Sequence, residues 1–396
     1  MLDTGPALKY HRPSDQTNQL MRIILAVGFV VAFFPMAASE DHAGARHVVV
    51  YGPPGRYGGW PANNGIWSWS DEIVVGFEAG YFKYNDKRHS IDWDRPAEHL
   101  LARSTNGGET WTIEKPAGLK PPNGANIAGV LTEPGGKPAV DCPGGIDFTQ
   151  PGFAMTARME DIHVGPSRFY YSYDRGRTWN GPFRVPNFGQ KGIAARTDYL
   201  VNGKHDLTML LTAAKSDGQQ GRVICVRTKD GGKTWNLVSF VGPEPDRNDK
   251  AIMPSSVRLP ERTILTAIRH PRWIELYRSD DDGASWRFLN KPVPDTGDHN
   301  GNPPSLVRLR DGRLALTYGF RSEPYDIRAR LSSDKGKTWT NEIVLRGGGG
   351  AWDLGYTRTV QRTDGKLVTV YYFSDAKDRE RYIAATIWDP NRMIGK

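Results

Sequence analysis

The sequence predicts an all-β chain: six four-stranded antiparallel blades arranged as a β-propeller. Three observations carry this. First, an eight-residue box occurs five times, as STNGGETW from Ser104, SYDRGRTW from Ser172, TKDGGKTW from Thr228, SDDDGASW from Ser279 and SSDKGKTW from Ser332. Successive boxes begin 51 to 68 residues apart, a period typical of repeat architectures. Second, hairpins such as VRLRDGRLALTYG from Val307 and VQRTDGKLVTVYY from Val360 set Asp-Gly between alternating apolar residues, the strongest short-range hairpin signal. Third, 44 glycines, 28 prolines and 12 tryptophans in 396 residues suit many short strands joined by tight turns.

Within one period the order of elements follows from these pieces. The hairpin supplies two strands. The apolar stretch before each box, such as RFYY before Ser172 or RVICVR before Thr228, supplies a third. The box is then the turn into the fourth. Its Ser and Asp side chains accept bonds from nearby backbone N–H groups. Its glycine takes a positive φ, and its tryptophan plugs the sheet. The five boxes and a boxless last segment from Gly347 to about Pro390 make six units of about 58 residues, one blade each. The longer first and second intervals imply insertions at 80–99 and 120–150. No linker interrupts the repeats, so 40–396 reads as one domain.

Residues 1–39 read as an N-terminal extension and signal peptide. From Met21, taken as the translation start, an Arg precedes an apolar run from Ile23 to Phe34, and Ala37-Ala38-Ser39 offers a cleavage site before Glu40. This predicts an exported protein, periplasmic or extracellular, without stable membrane insertion after cleavage. The formal charge is +8, but Lys and Arg are spread without basic runs, which argues against a nucleic-acid partner. Cys142 and Cys225 lie in different repeats, where a disulfide is possible but not implied. No spacing of Cys or His resembles a metal site, and no Walker loop or G-x-G-x-x-G motif is present, so no cofactor is expected.

Polar and aromatic residues gather where the innermost strands begin. They are Arg56, Trp60, Asn63, Asn64, Arg196, Asp198, His270, His299, Asn300, Asp353, Tyr356 and Arg358. Tryptophan can stack on a sugar face, while Arg and Asn bind carboxylate or hydroxyl groups.

The boxes, written S-x-D-x-G-x-[TS]-W, resemble those of the sialidase (neuraminidase) superfamily over about residues 47–390. That resemblance implies a six-bladed propeller with a site at the mouth of its channel. Three arginines would clamp a substrate carboxylate, a Tyr would be the nucleophile helped by a Glu, and an Asp would be acid and base. Tyr356 matches the nucleophile, Arg269 the second clamp arginine, and Arg321, or less well Arg328, the third. The first inner strand carries Asn63 and Asn64 where the family has its first arginine, with Arg56 in the turn before. Met253 or Pro254 stands where the Glu would be. For the acid, the insertion KYNDKRHSIDWDRP offers Asp86, His89, Asp92 and Asp94, of which Asp92 is taken. The resemblance thus implies a secreted exo-α-sialidase-like glycosidase acting on a terminal, acidic sugar of a glycan. The catalytic residues would be Tyr356 and Asp92, and the substrate-binding residues Arg56, Trp60, Asn63, Asn64, Arg196, Arg269, His270, Arg321, Asp353 and Arg358. A hydrolase or lyase for another sugar, a uronic acid or deoxyhexose, and a non-catalytic glycan- or protein-binding propeller remain open alternatives.

Overall fold

Alternating strands that bury both faces must pack sheet against sheet, and here they do so in a ring. The computed structural model describes residues 44–392 apart from 121–125, 128–129 and 134. The strands of the ring run from Arg46 to Trp388. The signal-peptide layout and its cleavage point after Ser39 lie outside the described residues. Among the described residues, no helix is long and apolar enough to cross a membrane.

The expected six-bladed propeller of antiparallel sheets is present. The fourth blade shows the plan most simply: Ile252–Arg258, Ile264–Arg269, Ile274–Ser279 and Arg287–Val293 run antiparallel from the axis outward. The fifth blade repeats it with Ser305–Arg308, Leu314–Phe320, Asp326–Ser332 and Ile343–Arg346. In the first blade the inner strand is broken into Arg56–Gly59 and Ile66–Trp69 around a one-turn helix, Pro61–Asn64. Both pieces pair with Glu72–Tyr81. The third blade is broken in the same place, into Ile193–Ala194 and Tyr199–Gly203. The second blade has three strands, Ala154–Met159, Ser167–Ser172 and Asn180–Val185. On its inner side, Thr156 donates to the carbonyl of Asn64 from the helix of the first blade.

The last blade explains its missing box. Its strands Gly355–Gln361, Leu367–Phe373 and Tyr382–Trp388 are completed on the outside by Arg46–Tyr51, with His47 opposite Thr386. The fourth strand therefore comes from the N-terminal end of the chain. No turn joins it to the third, so no box is needed there, and the pairing closes the ring.

Each box works as its composition suggests. The Ser or Thr hydroxyl accepts the buried N–H of the box glycine at 2.8–2.9 Å in all five. The third position, Asp in four boxes and Asn106 in the first, turns back on the box itself: Asp174 accepts from both the N–H and the hydroxyl of Thr178. The glycines also touch the preceding blade. A Cβ on Gly336 would come within 2.8 Å of Leu276, and one on Gly283 within 2.7 Å of the Cys225 Sγ. The box therefore both closes its own turn and seats one blade against the next. Cys142 and Cys225 are both buried free thiols, packed under boxes rather than paired.

Candidate functional site

The broken and bulged inner strands turn several side chains toward one end of the channel. In the sixth blade, Tyr356 sits in the left-handed region at φ 53° in a bulge that spans Gly355 to Arg358. Asn302 holds it there. Its Oδ1 accepts the N–H of Tyr356 at 2.9 Å and that of Gly319 at 3.1 Å, and its Nδ2 donates to the Leu354 carbonyl at 2.9 Å. Gly355 must be glycine, because a Cβ would meet the Asn302 amide at 2.4 Å. Met253, at φ 53°, occupies the corresponding bulge of the fourth blade.

These elements enclose a cavity of about 360 Å³. The Tyr356 hydroxyl accepts a hydrogen bond from Arg269 Nη1 at 3.0 Å. Arg269 is fixed by two bonds to the Asn300 carbonyl and also donates to the Met253 sulfur at 3.2 Å. Arg321 donates to the Leu354 and His299 carbonyls and to the Tyr372 hydroxyl, and its guanidinium lies 5.3 Å from the centre of the Tyr356 ring. Arg196, in the break of the third blade, bonds Asn63 and Gln220. Burial alone would raise the Tyr356 phenol, but the charges of Arg269, Arg321 and Arg196 hold it below its ordinary value. Lys250 completes the cationic wall, with its ammonium 3.3 Å from Asn300 Oδ1. Burial, then the charges of Arg269, Arg196 and Arg321, bring its pKa down to about 7.

The other wall is aromatic. Trp60, Trp93 and Trp352 line it, and His299 stacks on Trp352 with ring centres 4.7 Å apart. His89, delivered by the first insertion, lies edge-on to Trp60 and beside Trp352. Its Nδ1 is 2.5 Å from the buried Asp353 carboxylate. Asp353 also accepts from the Ser90 N–H and the Tyr372 hydroxyl. Burial would raise this carboxyl, but His89, Arg381 and the Ser90 N–H hold it well below the usual range.

A family model described as a BNR repeat-like domain matches residues 151–369, more than half of the chain. The chain belongs to the BNR repeat-like family. Solved structures of similar fold include a protein of unknown function from Dyadobacter fermentans, 20% identical over 87% of this chain and 99% of that one, with a TM-score of 0.63. The α-L-arabinanase of Penicillium chrysogenum, complexed with arabinobiose, is 17% identical over 86% and 97%, at TM-score 0.58. The intramolecular trans-sialidase of Ruminococcus gnavus, in complex with oseltamivir carboxylate, is 13% identical over 84% and 95%, at TM-score 0.54. At these identities the likeness is one of fold. No curated protein matches the chain in sequence. The resemblance of the boxes to the sialidase-type propeller is borne out.

In this BNR repeat-like propeller, Tyr356, Trp60, Asn63, Arg196, Arg269 and Arg321 come together around the cavity. Others named from the sequence do not line it. Asp92 turns toward Lys83 at 3.3 Å, because the chain bridges Phe82 to Ile91 and presents His89 instead. Arg56 pairs with Glu98 at 2.5 Å and stacks on Tyr81. Asn64 is wholly buried with its amide on the Trp60 carbonyl. His270 faces Asp249 and Glu275 in a separate groove between blades. Arg358 points into the channel and ties the Ala62 and Thr197 carbonyls together at 2.6 Å. Asp353 stands behind His89, outside the lining. The third-clamp alternative, Arg328, is bound to Asp326 and Glu342. Lys250, Trp352 and Asn302 carry no signal in the sequence, since each sits on a loop or strand end without periodic pattern.

Proposed function

We propose that this protein is a glycan-cleaving enzyme that holds an acidic sugar at the channel mouth and uses Tyr356 as its reactive group. The observation that carries the proposal is the Tyr356 hydroxyl, 3.0 Å from Arg269 and set among further cations. A phenol is a poor nucleophile or base when protonated, and nearby guanidinium charge favours the phenolate. The same guanidiniums suit a sugar carboxylate, because their planar forks match its two oxygens. Trp60 and Trp352 supply flat apolar faces for the ring. The arabinanase and trans-sialidase neighbours support glycan chemistry on this fold. The proposal also places the mature protein outside the cytoplasm, on the N-terminal leader layout alone.

A narrower form, an exo-α-sialidase, would set the carboxylate of a terminal sialic acid on Arg269 and Arg321, with Tyr356 attacking the anomeric carbon. Supporting it are Tyr356, Arg269 and Arg321 in one cavity. Met253 and Asn63 depart from the superfamily pattern at two positions. Titration calorimetry with sialosides, uronides and neutral arabinosides tests the proposal. Acidic sugars should bind in preference, and Arg269→Ala should weaken them by about 1.5–3 kcal/mol. Equal affinity for neutral and acidic sugars would refute it. A non-catalytic propeller would bind without turnover, and Tyr356→Phe would leave its affinity unchanged.

A further inference from the structure

The sign of the charge around Tyr356 bears on which bond-breaking chemistry the cavity can support. Six basic side chains line it, Lys87, Arg88, Arg196, Lys250, Arg269 and Arg321, and no Asp or Glu is among the lining residues described. The carboxylates close by are committed elsewhere. Asp353 lies behind His89, and the buried Glu78 lies against Asn63, Arg158 and Arg196. Hydrolysis of a glycoside passes through an oxocarbenium-like transition state, and it ordinarily employs a pair of carboxylates flanking the bond. Positive charge developing in this cavity would face cations on several sides and no lining carboxylate. Removal of a proton next to a sugar carboxylate develops the opposite charge. Negative charge then builds on the carbon and spreads onto the carboxylate oxygens, where fixed cations stabilise it.

We infer that the cavity cleaves a 4-O-substituted uronate by β-elimination rather than hydrolysing it. The inference rests on the acidic-sugar reading above and names both the substrate class and the reaction; the uronate becomes the inner partner of the broken bond. Arg269 and Arg321 carry its carboxylate. The Tyr356 phenolate takes the proton from C5, and the electron pair of that C–H bond forms the C4=C5 double bond. The C4–O bond breaks, its pair leaves on the departing oxygen, and that oxygen takes a proton from His89. The Nδ1 of His89 is held by Asp353, which leaves Nε2 for the cavity. The products are an unsaturated uronate and the free hydroxyl of the departing sugar. No water, oxidant or reductant is consumed, and Tyr356 and His89 exchange their protons with solvent between turnovers. A sialoside cannot follow this route, because its carboxylate-bearing carbon carries the glycosidic oxygen and no hydrogen.

The test incubates the mature protein with oligogalacturonate, hyaluronan fragments and sialyllactose in isotopically labelled water. Elimination predicts that a uronide is cut, that the ultraviolet absorbance of a conjugated double bond appears, and that the unsaturated fragment is one water lighter than a hydrolysis product. In products quenched before the new reducing end exchanges with solvent, neither should carry labelled oxygen, and sialyllactose should remain intact. Tyr356→Phe should lower kcat by about 100-fold or more, the range for general acid–base catalysis, and His89→Asn should do likewise with KM little changed. Cleavage of any of these substrates with labelled oxygen in the product and no new absorbance overturns elimination while leaving the acidic-sugar reading standing. Uronide binding without cleavage also overturns it. Failure to bind any acidic sugar removes both.

Discussion

Replacing Asn302 by alanine should unfasten Tyr356 without touching the cavity wall. Asn302 is fully buried and holds three groups at once: the amides of Tyr356 and Gly319 and the carbonyl of Leu354. The carbonyl keeps two donors from Arg321 after the change, so it adds little to the loss. The two amides lose their side-chain acceptor inside the protein, and a buried unsatisfied donor costs about 1–3 kcal/mol. Together they amount to about 2–6 kcal/mol. Tyr356 also relaxes from a left-handed conformation that a bulky residue does not favour. Urea unfolding should show a lower midpoint at an unchanged m-value, and hydrogen exchange should show faster exchange at Tyr356 and Gly319. Turnover should fall about 100-fold if the phenol shifts by about 1 Å. A stability loss under about 1 kcal/mol, with both amides still protected, would refute the claim that this one side chain positions Tyr356.

Stability should depend on pH in two opposed windows. Burial raises the Glu78 carboxyl from 4.5 to about 7, so the folded state holds its proton longer than the unfolded chain and stability falls as pH rises from about 4.5 to 7. The shift corresponds to about 3 kcal/mol, and Glu78→Gln should flatten that limb in unfolding curves taken across the window. Lys250 is lowered from 10.5 to about 7, so the folded state sheds its proton first and stability rises between about pH 7 and 10.5; Lys250→Met should remove that rise. Ser172→Ala strips the acceptor from the buried Gly176 N–H, bonded at 2.9 Å, and should cost about 1–3 kcal/mol in urea unfolding. If the Arg269 contact with an acidic sugar is charge-assisted, its binding constant should fall as salt rises, and the slope should be smaller in Arg269→Ala.

The sequence by itself determined the repeat, the turn chemistry and the number of blades. These follow from short-range physics: a Ser hydroxyl reaching a glycine N–H four residues on, or an Asp-Gly turn between alternating strands. The same locality let Tyr356, Arg269 and Arg321 be placed at blade ends facing one axis. Only the tertiary structure decided which polar residues share the cavity. Arg56 and Arg321 both look like free arginines in the sequence, yet Arg56 finds Glu98 in its own blade while Arg321 finds none and turns to Tyr372 and backbone carbonyls. Asp92 and His89 are three residues apart, and one extra bridge of chain sends the first to Lys83 and the second to Asp353, a partner 264 residues away. Asn302 had no signal, because the groups it holds come from two blades and exist as neighbours only once the ring is closed. The closure itself, with Arg46–Tyr51 filling the place after Trp388, explains why the sixth blade carries no box. Contacts within a turn are written in adjacent residues, whereas the surroundings of a buried charge depend on which distant blades meet it.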